Sequence, residues 1–286
     1  MRVVLCTLVL NEMEWLPSLL DQHRDWPGLV KWSFVESADR VYAQSSPHMV
    51  NGEGLSVDGT TEYLSEVAST YDNVVHIPYG FSQDSRSDQG KCESRNQYLK
   101  VAEECQPDMI FVLDADEFYT HEDQRGINDY FEKYRSNHKG LCFDIKQIWR
   151  PPSISIRPLF ENYVTGGFWD IPHCRCWRWE SGMKYEGNHN TPRGQDGILF
   201  TQTMLRVDRI QGSPYGVHMG FASGQEQREA KAKYYEDRGE RTDHRRSWYT
   251  DSRRAWFNWV PGQRLPRGAR VKPYGGRIPE CFEDVH

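Results

Sequence analysis
The stretch "MIFVLDADEF", residues 109–118, decides the fold. An unbroken apolar run leads straight into three carboxylates, Asp114, Asp116 and Glu117. Apolar runs of this length without polar alternation read as strands buried on both faces of a sheet. In an extended chain residues i and i+2 point to one side, so Asp114 and Asp116 can address one ion together. Hard oxygen donors suit Mg²⁺ or Mn²⁺, which take one or two carboxylates plus phosphate oxygens of a substrate. The bland alternative is an acidic strand end that caps the helix read in "HEDQRGINDYFEKY".

Upstream, strand and helix signals alternate. "VVLCTLVL" (residues 3–10) is a buried strand, and Asn11 is a good cap for a helix in "EMEWLPSLLDQH". "KWSFVES" reads as a second strand and "NVVHIPY" as a third. Between them, residues 40–57 read as a long Ser- and Gly-rich loop, and "DGTTEYLSEVASTY" carries apolar residues at helical spacing. A helix around "KCESRNQYLKVAEEC" precedes the acidic strand. This alternation predicts an α/β fold, a mostly parallel sheet flanked by helices, with ligands beyond the carboxyl ends of the strands. Downstream, "GLCFDIKQIW" reads as a strand, "QEQREAKAKYYEDRGE" as a helix, and the chain from 260 as irregular.

The 286 residues are 37% hydrophobic and 27% charged, which fits a globular chain and excludes a disordered one. The early apolar run falls short of the ~20 residues a membrane helix needs. It also lacks a basic leader and a small-residue cleavage site. The expectation is therefore no membrane insertion and a cytoplasmic setting, with which seven scattered cysteines agree. "HCRC" (173–176) is too sparse to read as more than structural cysteines. The net charge of −6 is uneven: residues 224–278 hold 14 Lys and Arg against 7 Asp and Glu, interleaved with aromatics. Such a segment either pairs with the acidic core or meets phosphate.

Several stretches in order resemble the GT-A glycosyltransferases, especially the family 2-like group. They are "VVLCTLVLNEMEWL", "FVES" followed by "VDGTTEYL", "SRNQYL" and "FVLDADEF", covering roughly residues 2–120. The resemblance implies that Leu8, Asn11, Glu12, Glu36, Asp58, Arg95, Asp114 and Ala115 line a nucleotide-sugar site. It implies a divalent ion, Mn²⁺ or Mg²⁺, held by Asp114 and Asp116, with His218 of "YGVHMGF" as the third ligand. The domain expectation is a GT-A unit over 1–220, its halves 1–120 for the nucleotide-sugar and 121–220 for the acceptor. A basic, aromatic extension follows over 221–286.

The implied reaction moves a sugar from a nucleotide-sugar donor, UDP-linked by preference, to an acceptor hydroxyl, with inversion. An inverting enzyme needs a base for that hydroxyl, and His189, Glu180 and Asp170 are the candidates. His189 matches the family's His-Glu position, although Asn190 stands where the Glu is expected. Arg95, Arg228 or Lys231 would support the phosphates. The acceptor is a glycan or small sugar, or, through the basic tail, a hydroxymethylated base in DNA. The alternatives are a metal-dependent phosphohydrolase or nuclease, and a non-catalytic nucleic-acid-binding protein.

Overall fold
The computed structural model describes residues 1–83, 87–149, 162–165, 173–223, 225–237 and 270–282. Four strands form the parallel part of one sheet: β1 (Val3–Val9), β2 (Leu29–Ala38), β3 (Val74–Phe81) and β4 (Met109–Val112). Their spatial order is β3-β2-β1-β4, with β1 hydrogen-bonded in parallel to both β2 and β4. These are the runs with the least polar alternation, and Val3 to Cys6 and Met109 to Phe111 have no exposed surface. The linking helices are α1 (Leu16–His23), α2 (Arg40–Ser45), α3 (Thr60–Thr70) and α4 (Ser87–Cys105).

The chain order reverses between β1 and β4. In open α/β sheets the loops leaving two such strands diverge and open a crevice at their carboxyl ends. Here those loops begin at Leu10 and Leu113, so Asn11, Glu12 and Asp114 to Asp116 lie at its two lips.

Beyond β4 the pairing becomes mixed, parallel and antiparallel. After β5 (Glu117–Phe118) and α5 (His121–Tyr134) come β6 (Gly140–Trp149), β7 (Asn162–Thr165), β8 (His173–Arg178) and β9 (Met204–Arg206). β8 runs antiparallel between β4 and β6, with Phe111 opposite Cys176 and Met109 opposite Arg178. β10 (Tyr215–Phe221) pairs with β5 and β6 and sets His218 opposite Glu117. α6 (Gln225–Asp237) and β11 (Arg270–Pro273) complete the described chain.

Two expectations change. Residues 40–57 are not all loop, for Asp39 caps α2 by accepting a hydrogen bond from the Val41 N–H. Asn11 does not cap α1, which starts only at Leu16; it holds a left-handed φ of 54° instead. β10 spans residue 220, β11 adds a strand beside β7, and Phe282 packs edge-on against Phe118 in the main core.

Candidate functional site
Asp116 is buried at the carboxyl lip of β4. Its Oδ1 lies 3.4 Å from His218 Nε2, and its Oδ2 lies 3.4 Å from Lys231 Nζ. Two elements make the approach to His218 possible. The Met219 N–H donates to the Asp116 carbonyl at 2.7 Å, and Gly220 leaves open the space beside the imidazole. Burial opposes ionisation of Asp116, but His218 and Lys231 hold its carboxyl below the usual range. Burial likewise lowers the His218 imidazole, favouring its neutral form. A neutral imidazole beside a carboxylate is a donor pair for a divalent ion. Donors each about 2.1 Å from one Mg²⁺ or Mn²⁺ are separated by about 3 Å, close to the spacing observed.

Asp114 is used otherwise. Its Oδ2 is ion-paired with Arg175 NH2, which also binds Glu117 Oε1, and its Oδ1 lies 4.0 Å from Arg95 NH2. The expected set Asp114, Asp116 and His218 therefore splits, with Asp116 and His218 facing each other and Asp114 facing two guanidinium groups. Among the described residues, no three His, Cys, Asp or Glu side chains gather to hold an ion. Burial pushes the Glu117 carboxyl up to about 8 despite Arg175.

Glu12 lies at the β1 lip, its Oε1 3.5 Å from Lys231 Nζ. Burial pushes its carboxyl up to about 7, with Lys231 pulling down and Asp116 pushing up. Asn11 is a tie rather than a free donor. It donates to the Met49 carbonyl at 2.5 Å, accepts from the Val57 N–H at 2.9 Å, and its own carbonyl accepts from Gln227 at 2.8 Å. Asp58 accepts from the Met13 and Thr60 N–H groups and ties the α3 entrance to the β1 loop.

Glu36, at the end of β2, has no exposed side-chain surface. Its oxygens accept from the Ser56 N–H at 2.8 Å, Thr61 Oγ1 at 2.7 Å and His76 Nε2 at 3.0 Å. Burial opposes the charge, and these bonds outweigh it, bringing the carboxyl down to about 2. Leu8 is half-buried near the end of β1, and Ala115 is buried between the two aspartates. Arg95 is buried on α4, donating to Tyr98 at 3.0 Å and stacking over the Tyr185 ring.

The three base candidates part company. Glu180 follows β8 past Arg178, beside the start of β4. The carboxyl lip is five residues away along that strand, about 16 Å. Its oxygens meet Lys139 at 3.0 Å and Arg178 at 2.6 Å. Antiparallel pairing of β8 thus carries Glu180 to the edge where β4 begins. His189 is half-buried and follows a segment that runs back along α4, from Ser181 on Glu103 to Tyr185 on Asn96. Asp170 lies outside the described residues, as does the Arg228 side chain. The residue that sequence reasoning missed is Arg175. An arginine inside an apolar strand is costly unless paired, and that anomaly in "HCRCW" was the available signal.

No family model and no curated protein matches the chain. Among solved structures it is similar to TarS 1–349 of S. aureus in complex with UDP, at 10% identity and a TM-score of 0.39. That match covers 90% of this chain and 71% of TarS 1–349. It is also similar to the mannosyltransferase PcManGT of Pyrobaculum calidifontis in complex with GDP-Man and Mn²⁺. There the identity is 12% and the TM-score 0.44, covering 91% of this chain and 70% of that one. Against the longer TarS structure the chain spans 43% of the neighbour.

Proposed function
We propose that this chain is a glycosyltransferase that takes a sugar from a nucleotide diphosphate donor, UDP-linked by preference, and passes it to an acceptor hydroxyl. The observation that carries the reading is the charge pattern at the β1/β4 crevice. One carboxylate, Asp116, faces an imidazole on one oxygen and an ammonium on the other. A diphosphate leaving group calls for such a mixture of ion-binding and cationic groups, because negative charge grows on it as the glycosidic bond breaks. Asp116 and His218 would hold Mn²⁺ or Mg²⁺, which supplies Lewis-acid neutralisation of that charge when bound. Lys231 would donate to the phosphates, while Arg175 and Arg95 fix Asp114 for the ribose or the sugar. Glu36 orders the β2 edge of the nucleoside pocket through Ser56 and Thr61, or meets the nucleoside by exchanging one of those bonds. His189 is the base candidate kept for the acceptor. The acceptor is a glycan or small sugar, or a hydroxymethylated DNA base met by the basic segment.

The phosphohydrolase alternative is not favoured, since two-ion sites need more ligands than Asp116 and His218. A thermal-shift panel of UDP-, GDP- and CDP-sugars, with and without Mn²⁺, tests the proposal. Stabilisation by one nucleotide class, strengthened by metal, is expected. No response to any of them, with or without metal, would overturn it.

A further inference from the structure
The crevice holds a cation that the metal pair alone does not require. Lys231 Nζ bridges Asp116 Oδ2 at 3.4 Å and Glu12 Oε1 at 3.5 Å, on the side of Asp116 away from His218. α6 fixes it there from both sides. One turn earlier, Gln227 donates to the Asn11 carbonyl at 2.8 Å. One turn later, Tyr234 packs edge-on to Tyr42, with Ala230 in the same buried cluster. The Lys231 backbone is thereby held beside the crevice. Glu12 strengthens the hold, for its Oε1 is the second carboxylate oxygen facing the ammonium.

A divalent ion arriving alone at Asp116 would meet two protein donors and a fixed positive charge across the same carboxylate. Coulomb's law for a single and a double charge a few ångströms apart gives a penalty of about tenfold or more in affinity, even at the dielectric of water. A diphosphate removes the penalty. It brings negative charge for both cations, accepts hydrogen bonds from the ammonium and fills open positions on the ion.

We infer that Lys231 makes divalent metal and nucleotide diphosphate enter this site together, by holding the affinity for metal alone low until the diphosphate arrives. The inference rests on the reading of the crevice as a nucleotide diphosphate site. It differs from a purely structural role of the lysine, which would leave the affinity for metal alone unchanged.

The test is Mn²⁺ binding by electron paramagnetic resonance and calorimetry, on wild type, Lys231→Met and Lys231→Arg, each with and without UDP or GDP. Wild type and Lys231→Arg should bind Mn²⁺ alone about tenfold or more weakly than with nucleotide. Lys231→Met should bind Mn²⁺ alone about tenfold more tightly than wild type, and lose much of that metal–nucleotide synergy. If Lys231→Met fails to fold by circular dichroism, Lys231→Gln carries the same expectation. Equal affinity of wild type and the neutral variant for Mn²⁺ alone, with nucleotide binding preserved, would overturn the coupling and leave the site reading standing. Absence of nucleotide binding in all variants, with and without metal, would overturn both.

Discussion

Gly220 and His218 are so closely packed that no side chain fits at position 220. A β-carbon there would fall far inside contact distance of His218 Cε1, 3.1 Å from its Nε2 and 2.9 Å from Asp116 Oδ2. The space that keeps the imidazole against the carboxylate is therefore the absence of one methyl group. Gly220→Ala must turn His218 away or spread β10 from the β4 loop. Overpacking of this kind costs about 1–3 kcal/mol of stability. Metal-dependent nucleotide binding should fall about tenfold or more, the scale on which misoriented metal ligands lose affinity. Titration of Mn²⁺ in the presence of UDP or GDP, beside a urea melt, reads both quantities. Unchanged metal affinity would show that His218 is not a ligand.

The split between Asp114 and Asp116 makes their variants differ. Asp116→Asn removes the charge that faces both His218 and Lys231, so Mn²⁺-dependent nucleotide binding should drop about a hundredfold, with the fold intact by circular dichroism. Asp114→Asn should leave the affinity for Mn²⁺ nearly unchanged and weaken donor binding instead, because Asp114 faces Arg175 and Arg95. Equal losses of metal affinity in the two variants would contradict the split.

The fold's parallel half was legible because its strands are continuous apolar runs and its helices carry local signals. Thr120, for example, caps α5 by accepting from the Asp123 N–H. Pairing of Asp116 with His218 was legible only through resemblance, since 102 positions separate them and no local pattern joins them. Glu180 shows what a sequence conceals. Its acidic side chain sits in a suggestive stretch, but the direction of β8 sends it to the far edge of the sheet. The same direction brings Arg175 to Asp114, a contact set by strand pairing alone. In the sequence Lys231 was one of three bases in α6. Its singularity arises from the docking of that helix on Asn11 and Tyr42.

Arg175 donates to Glu117 in a buried pair, and the same guanidinium orients Asp114. Removing one partner of such a pair leaves an uncompensated group and costs about 3–5 kcal/mol, whereas removing both costs less. Arg175→Met should therefore be severely destabilising, and Arg175→Met with Glu117→Gln should recover much of the loss. The wild type also has a pH signature. Burial raises the Glu117 carboxyl from 4.5 to about 8. The folded state then holds a proton that the unfolded chain has released, so this group's stabilisation is present below about 4.5 and is lost as pH rises through about 8. Chemical denaturation from pH 5 to pH 9 should show that decline, and Glu117→Gln should flatten it. A decline of equal size in Glu117→Gln would assign it to another group.

The basic segment separates into two populations. Lys231 and Arg277 are paired inside the molecule, Arg277 with Glu122 and Asp123. Arg245, Arg246, Arg253 and Arg254 lie outside the described residues. If these four serve a polyanionic acceptor, binding of duplex DNA should weaken with salt by a log–log slope of about −0.9 per phosphate contact. Reversing their charge should reduce that binding with little change in the melting temperature. A mobility-shift titration at low salt decides it, and no DNA binding there would restrict the acceptor to glycans and small sugars.

Glu36 supplies a last test, on the acid side. Its carboxylate is the common acceptor for the Ser56 N–H, Thr61 and His76, so one charge ties β3, the loop before α3 and the first turn of α3 to the end of β2. Burial raises its pKa, yet the three donors bring it from 4.5 down to about 2. A carboxyl depressed in the folded state adds stability above its unfolded pKa and loses it as pH falls toward the folded value. The shift corresponds to about 3 kcal/mol at neutral pH, lost between about pH 4.5 and pH 2. Glu36→Gln should be less stable than wild type at pH 7 by about that amount, and the two should converge near pH 2. The ties to Ser56 and Thr61 also shape the β2 edge of the crevice, so nucleotide affinity at pH 7 should fall with them. Urea melts at pH 7, 4 and 2.5 give the first result and calorimetry with UDP the second. A constant stability gap across that range would mean that Glu36 acts by packing and not by its charge.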